Sequence, residues 1–424
     1  MSDDWKSVRL SEHVDIAIGG TPSRAMPVFW AEKPAGHPWL AISDLRSKHI
    51  DDTREHISDL GVRSSNVKLI PAGSTVMSFK LSIGRTAIAV KPMYSNEAIA
   101  AFLPRSDSVD SAWLYHVLPR SAGTVVTDSA VKGATLNKAK MAEMTVMLPS
   151  PAEQQLVAQV LDTLDTTIRL TEAIIEKLKQ VKQGLLHDLL TRGIADNGEL
   201  RPPQSEAPHL YKESVLGWIP KEWVTKRLDE FCTSVADGTH DSPKPAHTGY
   251  PLITSKNLRG GRLDLTDSYL IAEADYRAVR ARSSVEPGDL LFGMIGTIGS
   301  PVIIERGQDQ IATKNVGLLR VGGDFRRGRF LRDWLESASI ERQLSEAMSG
   351  STQRFIGLGT LRSLLVVEPE VDEIGRVVEA AQLSAARIDS EARCLSKLEI
   401  TKRGLMDDLL TGRVRVTPLL NAET

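Results

Sequence analysis

The chain has 424 residues, which at about 100–200 residues per domain corresponds to two to four domains, each large enough to bury its own core. Its composition is ordinary for a globular protein, with 41% hydrophobic and 25% charged residues, and its formal net charge is −2. Only 5% of the residues are aromatic, which disfavours a protein built on aromatic stacking platforms. The near-neutral charge confines any phosphate-binding surface to a local patch.

The sequence carries no sign of export or membrane insertion. The first residues are acidic and lack an apolar signal region, and no stretch reaches the ~18 apolar residues of a membrane span. The two cysteines, Cys232 and Cys394, fall on segments that we interpret as far apart, so no disulfide framework is expected. We therefore predict a cytoplasmic protein that has no membrane partner.

Residues 1–149 are predicted to form a first globular domain of mixed α/β structure. Short apolar runs, such as residues 39–42, 75–79 and 86–90, are typical of strands. Glycine-rich turns that also carry basic and hydroxyl side chains interrupt them, at residues 19–24 and 80–85. Such turns are more often simply solvated, but comparable turns recur in the second half of the chain.

Residues 150–192 are predicted to form a long helix. Ser150 and Glu153 form a capping box around Pro151, and Thr191-Arg192-Gly193 supplies a stop. Between them, apolar residues alternate spacings of four and three, as in a heptad seam, over a rod of roughly 60 Å. Its predicted seam includes Leu161, Leu164, Ile168, Ile175, Leu178, Leu185 and Leu189.

The remaining segments repeat this order. Residues 193–220 are rich in proline and turn residues and are predicted to be a linker, and residues 221–369 a second strand-rich domain. Residues 370–412 form a second helix, and residues 413–424 a tail. The second seam, offset by 220 residues, includes Ile388, Leu395, Leu398, Leu405 and Leu409. The start of this helix reads Pro369-Glu-Val-Asp-Glu373, without a Pro-x-x-Glu-Gln sequence, which leaves its upper seam and its partner contacts open.

The chain contains an internal duplication. Residues 177–191 and 397–411 are identical at nine of 15 positions, where chance would give about one. Weaker matches pair residues 5–10 with 223–228, and Gly20-Thr21 with Gly238-Thr239, both at an offset of 218. Residues 82–84 also resemble 297–299. The period is too long for a solenoid and indicates a tandem duplication with pseudo-two-fold symmetry.

We therefore predict an α+β (mixed α/β) fold in which two globular domains are separated by two long helices that pair as an antiparallel intramolecular coiled coil. The alternative is that each amphipathic helix lies on its own domain. Gly184 and Gly404 stand mid-helix at the same offset, where each costs about 1 kcal/mol relative to alanine. Close backbone contact with each other or with a partner helix would explain them, and so would simple inheritance from the duplication.

Motifs for catalysis are absent from the sequence. The only Pro-Pro pair, Pro202-Pro203, lies in the linker and lacks the context of an adenine methyltransferase motif. There is no Gly-x-x-x-x-Gly-Lys-Ser/Thr phosphate loop, and no His-Glu-x-x-His or Cys-x-x-Cys metal motif. We predict a non-catalytic chain with no metal site and no cofactor of its own.

The segments 150–154, 182–191, 215–223 and 397–411, taken together with the heptads, resemble the specificity subunits of type I restriction-modification systems. The resemblance covers essentially the whole chain. It implies two target-recognition domains that each read half of a split DNA site, and paired helices that fix the gap between the halves. It also implies two modification subunits that bind S-adenosylmethionine and methylate adenine N6, and restriction subunits that use ATP and Mg²⁺ to translocate and cleave double-stranded DNA.

Loop position alone then selects the candidate DNA contacts, since hydroxyl, amide and basic side chains can donate to phosphates and base edges. The candidates are Thr21, Arg24, Lys80, Arg85, Lys132 and Lys138 in the first domain, and Thr239, His240, Lys256, Thr297, Gln353 and Arg354 in the second. Two other hypotheses stay open at this point. The chain could be a coiled-coil scaffold that joins two protein-binding domains without touching DNA, or an enzyme whose nuclease motif is degenerate.

Overall fold

The computed structural model describes residues 5–125, 128–130, 133–348 and 355–420. The chain divides into two compact units: unit 1 comprises Met1–Ala173 and Ala392–Thr424, and unit 2 comprises Ile174–Glu391. Each unit thus contains part of both long helices in addition to one strand-rich portion. Within the described residues, no helix combines the length and apolarity needed to cross a membrane.

Unit 1 is built on two sheets. The larger sheet has five strands, in the spatial order Val14–Ile18, Ile99–Pro104, Thr75–Ser78, Thr86–Ala89 and His49–Ile50. The smaller sheet has four strands, in the order Trp30–Ala31, Glu55–Ile57, His37–Leu40 and Tyr94–Ser95. Two-stranded ribbons pair Lys6–Arg9 with Thr145–Leu148 and Asp128–Ala130 with Gly133–Thr135. The short helices are Leu10–Glu12, Pro27–Phe29, Ile42–Asp44, Asp59–Arg63, Ser111–Thr124, Lys138–Ala142 and Thr417–Leu420.

Unit 2 repeats the order of the first four strands of the larger sheet and of all four strands of the smaller sheet. Its larger sheet has the order Ser234–Asp237, Val316–Arg320, Leu290–Gly293 and Gly299–Ile303. Its smaller sheet has the order Pro245–Ala246, Tyr269–Ile271, Tyr250–Ile253 and Ala312–Thr313. Its ribbons pair Val224–Arg227 with Leu365–Glu368, Tyr211–Ser214 with Gly217–Pro220, and Leu258–Arg259 with Arg262–Leu263. Its short helices are Pro208–Leu210, Leu228–Phe231, Ser255–Asn257, Glu273–Ser283, Phe325–Leu335, Ala338–Met348 and Leu358–Ser363.

Backbone hydrogen bonds fix which positions of the two units correspond. The N–H of Gly19 donates to Ile99 O at 3.2 Å, and the N–H of Gly238 donates to Val316 O at 3.0 Å, where Ile99 and Val316 begin equivalent strands. The structural equivalents are therefore Gly19 and Gly238, so the ungapped sequence match of Gly20 with Gly238 is off by one residue. The duplication itself is confirmed by the shared strand order.

The two long helices span Pro151–Thr191 and Val371–Thr411. At the start of the first, Glu153 accepts from Ser150 N at 3.2 Å, and Glu153 N donates to Ser150 Oγ at 3.4 Å, so the predicted capping box is present. The predicted seam positions are all buried or half-buried, whereas most positions between them are exposed. Leu161 and Leu189 are fully buried, and Leu409 is 4% exposed.

Within each unit the two helical segments run antiparallel. In unit 1, Asp165 pairs with Lys402, and Glu153 near the start of the first helix pairs with Arg415 just after the second, at 3.2 Å. In unit 2, Glu373 near the start of the second helix accepts from Ile194 N, just after the first, at 3.0 Å. The seams therefore pack as an intramolecular coiled coil, which decides against helices that each lie alone on a domain.

The mid-helix glycines do not contact each other. A Cβ placed at Gly184 or at Gly404 would meet nothing within 4 Å among the described residues. Contact with a helix of a partner protein thus stays a prediction.

A buried carboxylate organises the same joint in each unit. In unit 1, Glu153 accepts from Trp5 Nε1 at 3.1 Å and pairs with Arg415. In unit 2, Glu373 accepts from Trp223 Nε1 at 3.0 Å and from the Nη2 of Arg201 at 3.1 Å. We call these two groups, Trp5–Glu153–Arg415 and Trp223–Glu373–Arg201, the unit 1 joint and the unit 2 joint. Glu373 therefore takes the place of Glu153 at the start of the second helix, although Val371 stands where the first helix has Pro151.

Candidate nucleic-acid interface

Four loops of unit 1 meet in one cluster. The N–H of Gly20 donates to Ser95 O at 2.8 Å, and Thr21 Oγ1 donates to the Glu97 carboxylate. The N–H of Leu136 donates to Phe79 O at 3.0 Å. The N–H of Phe79 donates to Ala98 O at 3.0 Å and so links the two pairs of loops. We call residues 19–24, 80–85, 95–98 and 136–138 the unit 1 loop cluster.

Three of the predicted contact residues surround a single carboxylate in this cluster. The hydrogen bond from Thr21 holds the pKa of Glu97 below its usual value, and the positive charges of Lys80 and Arg24 act in the same direction. Glu97 therefore stays ionised and orients the donors around it. Sequence reasoning selected Thr21, Lys80 and Arg24 but missed Glu97.

Arg24 is held by aromatic rings and by a second carboxylate. Its guanidinium lies 3.8 Å from the ring centroid of Trp30 and 5.1 Å from that of Trp39. It also pairs with Glu55, its Nη2 lying 3.0 Å from Oε2. The side chain remains 54% exposed, so a fixed guanidinium with further N–H donors faces solvent.

The other unit 1 candidates lie at the edges of the cluster. Arg85 is exposed at the end of a turn. The carbonyl of Arg85 accepts a hydrogen bond from Ser78 N at 2.9 Å, which closes this turn. In the same turn Leu81 adopts φ of +63° and is 78% exposed, a left-handed conformation that is uncommon for leucine. Lys138 is the exposed first residue of its short helix. Lys132 lies outside the described residues.

Unit 2 contains the equivalent cluster. The N–H of Thr239 donates to Thr313 O at 2.9 Å, and the N–H of Ile356 donates to Met294 O at 3.0 Å, matching the bonds of Gly20 and Leu136. Ser255 Oγ accepts from Met294 N at 3.2 Å and brings a fifth loop to the group. We call residues 238–242, 254–259, 293–299, 313–315 and 355–358 the unit 2 loop cluster.

The unit 2 candidates differ in what they present to solvent. His240 is exposed, and its Nδ1 lies 2.8 Å from Asn315 Oδ1 and its Nε2 3.2 Å from Asp237 Oδ2. Thr239 is only 7% exposed, and its Oγ1 accepts from Asp241 N at 3.1 Å, which organises the loop. Lys256 is exposed in the short helix Ser255–Asn257, and Thr297 is exposed on its turn. Gln353 and Arg354 lie outside the described residues.

A cavity of about 220 Å³ opens within the unit 2 cluster. Its lining combines polar and apolar side chains, from Asp237, His240, Met294, Ile295, Asn315, Phe355 and Leu358. Sequence reasoning selected only His240 from this set. A detectable signal did exist, because Ile295 stands in a glycine-rich turn where a core residue is not expected.

One group of side chains in unit 1 has the composition of a metal site. Ligand atoms of His116, Asp162 and Asp165 lie within 4.8 Å of one another. Lys48 pairs with Asp162 and Lys402 with Asp165, so both carboxylates are already neutralised, which weakens their attraction for a cation. Burial lowers the pKa of His116 below 6.5 although its Nε2 lies 2.7 Å from Asp162.

The chain is similar to a known family model in its first part and to a known protein along nearly its whole length. Residues 2–180 match the family model described as the type I restriction modification DNA specificity domain. The type I restriction enzyme MjaVIII specificity subunit of Methanocaldococcus jannaschii is 21% identical over 98% of this chain and 94% of its own length. The chain is thus similar to the type I restriction specificity subunits over nearly its whole length. These likenesses favour a DNA specificity component over a scaffold that never touches DNA.

Solved structures from type I restriction-modification systems share the fold along nearly the whole chain. The HsdS subunit from Thermoanaerobacter tengcongensis is 15% identical, covers 98% of both chains and superposes with a TM-score of 0.52. A chain from a structure of complex assembly in a type I restriction-modification system is also 15% identical and covers 97% of this chain and 98% of its own, with a TM-score of 0.63. At these identities the likeness concerns the fold alone.

Proposed function

We propose that each unit of this specificity subunit reads one half of a gapped DNA site through its loop cluster. The observation that carries the proposal is the repetition of one loop framework, fixed by matching backbone hydrogen bonds, in the two units of a single chain. Two readers tied together in one protein specify two half-sites at a set spacing, as paired half-site readers do. The long helices set that spacing.

The chain's own side chains can supply both kinds of contact that such reading needs. Exposed basic residues, such as Lys138 in unit 1 and Lys256 in unit 2, suit phosphates. Arg24, which is held by Glu55 and Trp30, suits a base edge because its position is fixed before DNA arrives. Each good base contact is worth about 1–3 kcal/mol of discrimination.

Catalysis in this proposal belongs to partner proteins. Two modification subunits bind S-adenosylmethionine and methylate adenine N6, and restriction subunits add ATP- and Mg²⁺-dependent cleavage. The specificity subunit itself is non-catalytic and acts in the cytoplasm, where it meets double-stranded DNA.

A segment exchange tests the proposal. Residues 1–149 are replaced by the corresponding segment of another specificity subunit, the complex is expressed in a host without its own methylation, and the methylated motif is read by methylation-sensitive sequencing. One half of the motif should change while the other half and the gap stay the same. The reciprocal exchange of residues 221–369 is the matched control and should change the opposite half. A motif in which both halves change after one exchange contradicts the assignment of one half-site per unit.

A further inference from the structure

At equivalent loop positions, unit 2 carries apolar residues where unit 1 carries polar or basic ones. Phe79 and Met294 correspond, because each carbonyl accepts the same backbone bond, from Leu136 and from Ile356. The residues that follow are therefore equivalent as well. The resulting pairs, unit 1 first, are Lys80 with Ile295, Thr135 with Phe355, and Lys138 with Leu358.

Two of these apolar residues of unit 2, Ile295 and Phe355, line a cavity and are exposed. Ile295 is 43% exposed and Phe355 is 50% exposed, and their backbones form an isolated antiparallel bridge. With Met294 and Leu358 they form the apolar part of the 220 Å³ cavity. Two large exposed apolar side chains placed together in a loop cluster point to a ligand with an apolar group.

The opposite rim of the cavity is polar. Asn315 adopts φ of +52°, a left-handed conformation that asparagine tolerates, and it lines the cavity beside His240. Its Oδ1 faces His240 Nδ1 at 2.8 Å, which leaves the two N–H groups of the Asn315 amide to donate to a ligand acceptor. The cavity thus combines an apolar wall with an amide donor.

We propose that this cavity reads a thymine in the half-site of unit 2, with the C5-methyl group against Ile295 and Phe355. The methyl group is the apolar feature that the base edges display in the major groove, and thymine O4 beside it is an acceptor for the Asn315 amide. The inference rests on the proposed function, since it requires the unit 2 loop cluster to face DNA. In unit 1 the same place holds Lys80 near Glu97, so no methyl contact is expected there.

The test uses the specificity subunit in complex with its modification subunits and a duplex that carries the mapped site. Each thymine of the unit 2 half-site is replaced in turn by deoxyuridine, which removes only the methyl group. One replacement should weaken binding about fourfold, the equivalent of one buried methyl group at ~0.8 kcal/mol. Ile295→Ala and Phe355→Ala should weaken binding to the thymine duplex and abolish its advantage over the deoxyuridine duplex. Ile295→Val should keep most of that advantage.

Matched controls separate the possible failures. The same deoxyuridine scan in the half-site of unit 1 should be unaffected by Ile295→Ala, and thermal unfolding of each variant verifies its folding. A unit 2 half-site that lacks thymine on both strands, or one that is insensitive to every deoxyuridine, overturns the inference. So does an Ile295→Ala defect confined to assembly with the modification subunits, which would assign the cavity to a protein contact. In these cases the segment exchange still reports separately on the proposed function.

Discussion

Units 1 and 2 keep the same side-chain types at their joints and change them where the loops face outward. The joints use tryptophan, glutamate and arginine in both units, with tryptophan-to-glutamate bonds of 3.1 and 3.0 Å. The loop clusters share their backbone hydrogen bonds, yet Lys80 stands where unit 2 has Ile295. A framework whose joints and backbone hydrogen bonds recur while its loop surface varies suits a protein that reads two different half-sites with one architecture.

The largest expected effect concerns the joints. Glu373→Gln and Glu153→Gln each weaken a buried ion pair, with Arg201 and with Arg415, and each should lower the stability of its own unit by about 3–5 kcal/mol. Native-state hydrogen exchange, resolved by unit, measures this loss. Glu172→Gln, at an exposed position on the first long helix, is the control and should change stability by less than about 0.5 kcal/mol. If only one joint variant is destabilised, the joints are not equivalent.

Arg24 should carry a large share of unit 1 recognition and none of unit 2 recognition. Arg24→Ala should weaken binding by about 1–3 kcal/mol, and Arg24→Lys by nearly as much, since lysine cannot reproduce the paired bonds to Glu55 or the stacking on Trp30. Competition binding with duplexes altered in one half-site measures this. The loss should disappear when the unit 1 half-site is already scrambled. Arg63→Ala, outside the loop cluster, serves as the control, and an equal loss in that variant would refute a specific role for Arg24.

Substitutions at the equivalent residues Lys138 and Leu358 should change the salt dependence of DNA binding in opposite directions. Lys138→Leu should reduce the slope of log affinity against log salt by about 1, because one phosphate contact is lost, and Leu358→Lys should raise it by a similar amount. Binding titrations over a range of salt concentrations give both slopes. Unchanged slopes in both variants would show that these helix starts lie away from the phosphate backbone.

The smallest expected effect is a difference between the two units in how their stability changes as the pH falls. Burial lowers the pKa of His116 in unit 1, so the unfolded chain takes up a proton first, and stability is lost as pH falls through about 6.5, by at most ~1.4 kcal/mol per pH unit. In unit 2, burial raises the pKa of Asp289 and Asp333, which favours the folded state in acid. Hydrogen exchange at pH 7 and pH 5.5 should therefore show lower protection in unit 1 alone. His116→Gln should remove that difference; a unit 1 response that persists in the variant assigns it to another group.

The sequence predicts the periodic elements best because their spacing is explicit. The heptad pattern anticipates which helical positions are buried, and Ser150 with Glu153 marks where the first long helix begins. The one-residue error in matching Gly20 with Gly238 arose because unit 2 has one more residue ahead of the strand that leads to Gly238. The short helix Leu228–Phe231 has four residues, whereas its counterpart Leu10–Glu12 has three.

The loop sites could be predicted only in part. Thr21, Lys80 and Arg24 were recognisable as candidates from their turns, but their partners Glu55 and Glu97 come from distant segments that only folding brings close. Ile295, Phe355 and Leu358 escaped notice because an apolar residue is assigned to the core by default, and exposure is a property of the tertiary structure.

Unit 1 is built from two separate stretches of the chain, and this has a consequence for synthesis on the ribosome. Its core contains Trp5, Val157 and Leu161 together with Leu409 and Val416, so residues from both ends of the chain complete it. Unit 2 is continuous, from Ile174 to Glu391, and all of it has been made before the last part of unit 1 appears. Because domains fold as units during translation, unit 2 can finish folding while the first-made part of unit 1 still waits for the last. A nascent chain that stalls near its end would release a folded unit 2 together with an incomplete unit 1.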